Sequence, residues 1–178
     1  MYSRQPLPLD DFLSNLQTFD LVIMKGILIT SIEAEAITNS QWSHAGMVVV
    51  AGDLGIPNVD PASRLYWEAN TADTAMDLLT NSFKAGPQLV LLQDRIIHNY
   101  WINYDGAFIA RKMFCNRQPA MIDALKTAID QAKKGTLPYS GRDQTVELTN
   151  FMKGRFYNLP SDPDTYSCSQ LVAYTLMQ

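Results

Sequence analysis

Cys168 is the residue of this chain whose type and position best suit nucleophilic chemistry. It lies in the sequence Tyr-Ser-Cys-Ser-Gln-Leu-Val at 166–172, and the segment Ser167–Met177 has apolar residues at helical spacing with Ser167 in the N-cap position. A cysteine in the first turn of a helix lies at the positive end of the helix dipole, which lowers the pKa of a thiol and favours the thiolate. The expected chemistry is attack of this thiolate on a carbonyl carbon.

Such a nucleophile needs a base, and the chain has two histidines. His44 lies in Trp-Ser-His-Ala-Gly-Met-Val-Val-Val at 42–50, where it begins an apolar strand. His98 lies in Arg-Ile-Ile-His-Asn-Tyr at 95–100, which we interpret as a connection. A strand end holds an imidazole rigidly and accessibly, so we predict that His44 is the general base. The alternative is a different chemistry built on Cys115 and His98, although we expect Cys115 to be a core or incidental residue.

A catalytic imidazole also needs a group that fixes its tautomer and supports its charge. Glu68, in Tyr-Trp-Glu-Ala-Asn at 66–70, is the only acid in a short apolar strand that could pair beside the strand that starts at His44. Burying a carboxylate costs free energy unless it is paired, so we predict that Glu68 pairs with His44. Asn70 is the alternative, because an amide can also orient an imidazole.

The elements that must position these residues follow from the spacing of apolar residues. Five strands and two helices are predicted, and the Phe12–Leu16 segment is predicted to be a short amphipathic turn. The predicted strands are Asp20–Gly26, Ala45–Val50, Leu65–Ala69, Gln88–Leu92 and Gly106–Met113. The predicted helices are Pro119–Lys134, which Gly135 follows, and Ser167–Met177. Since neither a repeat nor a long linker divides the chain, we expect a single domain over residues 1–178.

Composition excludes several classes of function. Apolar residues make up 47% and charged residues 18% of the chain, which is typical of a folded protein, and the net charge of -4 argues against a nucleic-acid partner. The apolar stretch Leu21–Ile32 contains Lys25 and is too short to be a transmembrane segment. It also lacks the pattern of a signal peptide, so we expect a cytoplasmic protein, with export by another route as the alternative. Two cysteines fit neither a disulfide framework nor a zinc site.

The order of four segments resembles that of a known family. They are the strand Asp20–Gly26, Ser-His-Ala-Gly at 43–46, Trp-Glu-Ala at 67–69 and Tyr-Ser-Cys-Ser-Gln-Leu-Val at 166–172. This order is similar to that of the circularly permuted NlpC-like papain-fold cysteine hydrolases of the YiiX type, in which the nucleophile helix follows the histidine and acid strands. The resemblance covers nearly the whole chain. It implies a circularly permuted, papain-like α+β fold with an antiparallel sheet or small barrel packed against helices.

The same resemblance implies a catalytic set of Cys168, His44 and Glu68 without cofactor or metal. The expected activity is that of a thiol hydrolase or acyl transferase that cleaves an amide, ester or thioester through an acyl-enzyme. The substrate stays open among a peptide, a cell-wall amide and a lipid. A lipid ester is suggested by the permuted lecithin:retinol acyltransferase-like branch, although the chain lacks the Asn-Cys-Glu-His sequence of that branch.

Aromatic residues near the predicted site are candidates for substrate binding. We predict that Trp42 and Trp67 line an apolar substrate groove and that Tyr166 lines the oxyanion region, with packing as the alternative role of each. The backbone N–H of Cys168 is predicted to be the oxyanion donor. Specificity is expected to depend on the loops Asp53–Ser63 and Asn70–Gly86. The alternative to catalysis is a binding module that uses the same groove for a small molecule, peptide or lipid.

Overall fold

A computed structural model describes residues 7–26, 35, 39–70, 75–100, 104–137 and 168–177, with backbone only at 98–100, 104–107 and 168–170. The strands are β1 (Leu21–Gly26), β2 (His44–Val50), β3 (Arg64–Asn70), β4 (Met76–Asp77), β5 (Ser82–Phe83), β6 (Gly86–Leu91) and β7 (Tyr104–Arg111). The helices are α1 (Leu9–Ser14), α2 (Ala51–Leu54), α3 (Leu92–Tyr100), α4 (Pro119–Lys133) and α5 (Cys168–Met177).

Five strands form one antiparallel sheet in the order β6-β3-β2-β1-β7, and β4 and β5 form a separate hairpin. Strand β2 is central, so that Met47 lies opposite Leu21 of β1 on one side and Trp67 of β3 on the other. Strands β6 and β7 are the two edges. In the part of the chain that the structure describes, the sheet is therefore open. Of the two predicted forms, the antiparallel sheet is confirmed and the small barrel is wrong.

Both faces of the sheet are covered, because successive side chains of a strand point to opposite faces. Helices α4 and α5 cover one of them, which we call the α4/α5 face, and α1 and α3 cover the other, which we call the α3 face. The α4/α5 face is formed by Met47, Val49, Leu65, Trp67 and Leu89, packed against Leu125, Ala128 and Ile129 of α4 and Leu171 and Val172 of α5. The apolar part of the α3 face is formed by Val22, Met24, Val48, Tyr66 and Val90, packed with Leu16, Leu92 and Ile96.

Helix α4 has the ends that the sequence predicts. Pro119 occupies its first turn, where the missing N–H of proline costs nothing, and Gly135 follows its end with φ +68°. That left-handed conformation is one that glycine adopts without strain, so it terminates the helix. Leu125, Ala128 and Ile129 form the buried stripe that holds the helix on the sheet.

The five predicted strands are confirmed, with ends that differ by at most two residues from those predicted. The interpretation of Arg95–Tyr100 as a connection is wrong, because these residues belong to helix α3. Leu92, Arg95 and Ile96 are buried at positions i, i+3 and i+4, and the charge of Arg95 hides this helical stripe in the sequence. The segment Asn70–Gly86, predicted as a loop, contains the β4–β5 hairpin.

Candidate active site

His44 and Glu68 are brought together on the α3 face of the sheet. His44 is the first residue of β2, and its side chain points to the same face as that of Val48, four positions later. On β3, the side chain of Glu68 points to the same face as that of Tyr66. The two side chains are hydrogen-bonded, with 2.5 Å between Nε2 of His44 and Oε2 of Glu68. The sequence predicted this pairing, and the two residues lie 24 positions apart in the chain.

The backbone that leads into His44 is anchored to the end of β1. The N–H of Gly26 donates to the Ser43 hydroxyl at 2.8 Å, and the N–H of Ser43 donates to the Met24 carbonyl at 3.1 Å. His44 then lies opposite Met24 in the sheet. Because both backbone and side-chain groups of Ser43 are bonded, the chain enters β2 in a fixed direction and the imidazole starts from a rigid position.

Tyr66 packs beside the imidazole on the same face. The rings of Tyr66 and His44 meet edge to face, with centroids 6.0 Å apart and an interplanar angle of 67°. The Tyr66 hydroxyl crosses β2 to donate to the Val22 carbonyl at 2.8 Å. This path is open because Gly46 has no side chain, and a Cβ at that position would overlap the Tyr66 ring. Gly46 thus gives the ring the space in which it supports His44.

The Glu68 carboxylate has further partners on the same face. Arg95 of α3 forms an ion pair with Oε1, and Nε2 of Gln88 on β6 donates to the same oxygen at 3.3 Å. Glu68, Arg95 and Gln88 are each fully buried, and the His44 side chain is 10% exposed. The site therefore joins four elements, β2, β3, β6 and α3, through one carboxylate.

The surroundings of Glu68 keep it ionised. Burial raises the pKa of this carboxyl, but the charge of Arg95 and the hydrogen bond and charge of His44 outweigh burial, so the net pKa lies below the ordinary value of 4.5. At neutral pH the group is a carboxylate. It can therefore accept a hydrogen bond from the imidazole and stabilise an imidazolium.

Arg95 and Gln88 were not predicted from the sequence. The available signal for Arg95 was a cation placed among Leu92 and Ile96 at helical spacing, because a charge in an apolar stripe requires a buried partner. Gln88 gave a weaker signal, since a polar residue ahead of Leu89 and Val90 is typical of a strand start. Both are recognised only when β3, β6 and α3 are placed side by side.

Cys168 begins α5, which packs on β2 and β3. The helix lies on the α4/α5 face, whereas the His44–Glu68 pair lies on the α3 face. The Cys168 side chain and all of Tyr166 lie outside the described residues. Cys115 is an exposed free cysteine after β7, so the core alternative of its two predicted roles is wrong and the incidental one is left.

The two tryptophans predicted to line a groove differ in position. Trp67 is fully buried, and its indole N–H donates to Thr175 of α5 at 3.0 Å, an arrangement that belongs to the core and does not support a substrate contact. Trp42 is partly buried just before His44, with its backbone N–H bonded to the Ser40 hydroxyl at 3.1 Å. Trp42 therefore keeps its predicted role as a hypothesis.

The chain matches no protein-family model and no curated protein to a significant degree. Among solved structures it is similar to a metalloprotein, YiiX from Escherichia coli O157:H7, with a TM-score of 0.51 and 17% sequence identity. The match covers 89% of this chain and 63% of YiiX, so the chain spans less than two thirds of that protein. The fold is of the YiiX type.

Within residues 7–26, 35, 39–70, 75–97, 108–137 and 171–177, His, Cys, Asp and Glu side chains form no group of three that could hold a metal ion. In the same part of the chain, each helix is too short or too polar to cross a bilayer. The expected absence of a cofactor stays a prediction.

Proposed function

We propose that this protein is a cysteine-dependent hydrolase or acyl transferase with a circularly permuted, papain-like fold of the NlpC-like group. Cys168 is the nucleophile, His44 the general base and Glu68 the residue that orients the imidazole. The observation that carries the proposal is a hydrogen bond between His44, the first residue of β2, and Glu68, which is fully buried and ionised. A histidine–carboxylate pair of this kind is what a thiol nucleophile needs as its base.

The geometry of the pair assigns a role to each ring nitrogen. Because Nε2 of His44 faces Glu68, Nδ1 is the nitrogen that takes the proton of the Cys168 thiol. The thiolate attacks the substrate carbonyl carbon, and His44 passes the proton to the leaving amine, alcohol or thiol as the acyl-enzyme forms. His44 then takes a proton from water or another acceptor, which attacks the thioester and releases the thiol.

The position of α5 is compatible with an approach of the thiol to His44 at the end of the sheet. Pairing of β2 with β3 ends at Met47 and Trp67, whereas pairing of β2 with β1 continues to His44. The hydrogen-bonded ladder between β2 and β3 therefore stops short of His44. Since α5 packs on both strands and begins at Cys168, we propose that the thiol reaches the imidazole beyond the end of this ladder.

The substrate class is proposed at the level of the bond. An acyl-enzyme mechanism accepts an amide, ester or thioester, so the candidates are a peptide, a cell-wall amide and a lipid. Trp42 is the proposed contact for an apolar part of the substrate, and Tyr166 is the proposed aromatic residue of the oxyanion region. Trp67 is left out of this set, because its side chain is enclosed in the core.

The proposal is tested by the rate at which iodoacetamide labels Cys168, followed by mass spectrometry from about pH 5 to about pH 9. An isolated thiol titrates near a pKa of about 8.5, so fast labelling of Cys168 well below that pH indicates a thiolate stabilised by its site. The labelling rate should fall in His44→Ala and, to a smaller extent, in Glu68→Gln.

Cys115 serves as the internal control, because it is a free, exposed cysteine in the same chain. Its labelling rate should be the same in wild type and in both variants. If Cys168 is no more reactive than Cys115, or if His44→Ala leaves its rate unchanged, the catalytic proposal fails. The protein would then be treated as a binding module.

A further inference from the structure

The two oxygens of the Glu68 carboxylate have separate partners. Oε2 accepts from His44, whereas Oε1 is paired with the Arg95 guanidinium and with Gln88. Arg95 comes from α3, an element that carries none of the three residues Cys168, His44 and Glu68. Since both Glu68 and Arg95 are fully buried, water does not screen the pair.

This division of partners has two consequences for His44. First, a guanidinium on Oε1 fixes the carboxylate in orientation, because its N–H groups lie in a rigid plane, and Oε2 is thereby held towards the imidazole. Second, the charges of Arg95 and Glu68 offset each other. His44 is then next to a carboxylate whose charge is largely compensated, and its proton is not trapped as it would be beside an isolated buried carboxylate.

We propose that Arg95 is a positioning residue that holds Glu68 in orientation and offsets its charge, so that the His44 ring carries a single proton, on Nε2, until it takes a second one from Cys168. This inference deepens the proposed function and rests on it for the catalytic meaning of His44. Its physical content concerns the protonation of His44 alone. It can therefore be tested whether or not Cys168 is the nucleophile.

The groups that face His44 define what else could change its titration. They include Glu68 and Tyr66 from β3, Arg95 from α3 behind Glu68, and the Cys168 thiol that the proposed mechanism brings to Nδ1. From β1 the residue opposite is Met24, which carries no charge. Arg95 is therefore a positive charge placed to act on the pair through the Glu68 carboxylate.

The experiment is a titration of the imidazole ring nitrogens by ¹⁵N NMR in the whole protein. The chain has two histidines, and the spectrum of His44→Ala assigns the signals. The titration is measured in a Cys168→Ser background, in which no thiolate can hold a second proton on the ring, and the shifts should there show one neutral tautomer with the proton on Nε2 at neutral pH. In Arg95→Gln, the carboxylate loses its compensating charge, and the midpoint of the His44 titration should rise by about one pH unit or more.

Arg64→Gln is the matched control. Arg64 is on the same strand and face as Glu68, but its guanidinium donates to the backbone carbonyls of Leu16 and Ser14, at 2.8 and 3.0 Å. This variant removes a guanidinium without touching the His44–Glu68 pair, so the titration of His44 should not change. An unchanged titration in Arg95→Gln, or an equal rise in Arg64→Gln, would overturn the proposal.

Arg95→Lys is measured if Arg95→Gln does not fold. Lysine keeps a positive charge but lacks the planar fork, so it no longer fixes the carboxylate, and the ring nitrogens should show a mixture of the two neutral tautomers. A single Nε2–H tautomer in this variant would contradict the proposal. Failure of the catalytic proposal is recognised separately, by a Cys168 labelling rate that does not depend on His44.

Discussion

Both faces of the central sheet contain fully buried side chains, but different interactions stabilise the two faces. On the α4/α5 face, apolar side chains of the strands pack against apolar stripes of two helices. On the α3 face, a network of Glu68, Arg95, Gln88 and His44 is set among apolar neighbours. Packing is shared among many contacts, whereas the network depends on each of its members, because every buried charge needs its partner.

Trp67 and Glu68 show this difference at adjacent positions of one strand. Each side chain is fully buried, and each points to its own face. The Trp67 indole N–H is bonded to Thr175, whose hydroxyl in turn donates to the Leu171 carbonyl at 2.8 Å. Trp67 stabilises the fold mainly through its buried apolar area, whereas Glu68 stabilises it through its polar partners.

Substitution Glu68→Leu should have the largest effect on stability. It leaves the buried Arg95 guanidinium without its anion, and removal of one member of a buried ion pair lowers the free energy of unfolding by about 3–5 kcal/mol. The loss is measured by urea unfolding at neutral pH. Combining Glu68→Leu with Arg95→Met should recover a large part of it, since both charges are then replaced by apolar groups. A double variant less stable than Glu68→Leu would contradict the comparison of the two faces.

Substitution Leu171→Ala should have the next largest effect. Leu171 is fully buried between α5 and the sheet, and a cavity at such a site lowers the free energy of unfolding by about 3 kcal/mol. Leu176, which is 46% exposed on the same helix, is the matched control, and Leu176→Ala should cost much less. Equal losses in urea unfolding would mean that α5 is not held on the sheet by its buried stripe.

Substitution Gly46→Ala should cost about 2 kcal/mol, because the added methyl group overlaps the Tyr66 ring and overpacking is destabilising. The ring must move away from the His44 imidazole, so the ¹⁵N signals of His44 should change as well. Gly55→Ala, at a position with open space but φ +66°, is the control. It should lose a smaller amount of stability through backbone strain alone and leave the His44 signals unchanged.

The pH dependence of stability should show the smallest and most gradual effect. The folded pKa of Glu68 lies below its ordinary value of 4.5, because Arg95 and His44 outweigh the burial that raises it. A carboxyl of this kind stabilises the fold above the unfolded pKa and loses that contribution as the pH falls through the folded pKa. The urea midpoint should therefore decrease below about pH 4.5.

Asp20 should add to this loss of stability in acid. Burial raises the pKa of its carboxyl, but hydrogen bonds from Lys112, Met113 and Gln17 outweigh burial and lower the pKa below the ordinary value of 3.8. The variant that combines Glu68→Leu with Arg95→Met separates the two carboxyls. It should keep only the part of the acid dependence that Asp20 contributes. If its midpoint falls with pH as steeply as that of wild type, Glu68 is not the group responsible.

Much of the fold could be predicted because it depends on local spacing. The period of the apolar residues predicts the strands that contain Val22–Met24, Val48 and Leu65. Helix α4 is predicted from its apolar stripe and from the residues at its two ends. Helix α3 was missed, since Arg95 interrupts its apolar stripe and only a buried acid elsewhere in the chain explains a cation there.

The residue types in the sequence determined which pair would form: an acid in an apolar strand and a histidine at a strand start have few other ways to avoid the cost of burial. Tertiary structure decided the rest, because Oε1 of Glu68 acquires Arg95 and Gln88 only when β3, β6 and α3 pack together. It also decided that α5 and the His44–Glu68 pair lie on opposite faces. The spacing of apolar residues predicts which side chains of a strand share a face. The face of the sheet on which a helix packs depends instead on how the connections fold.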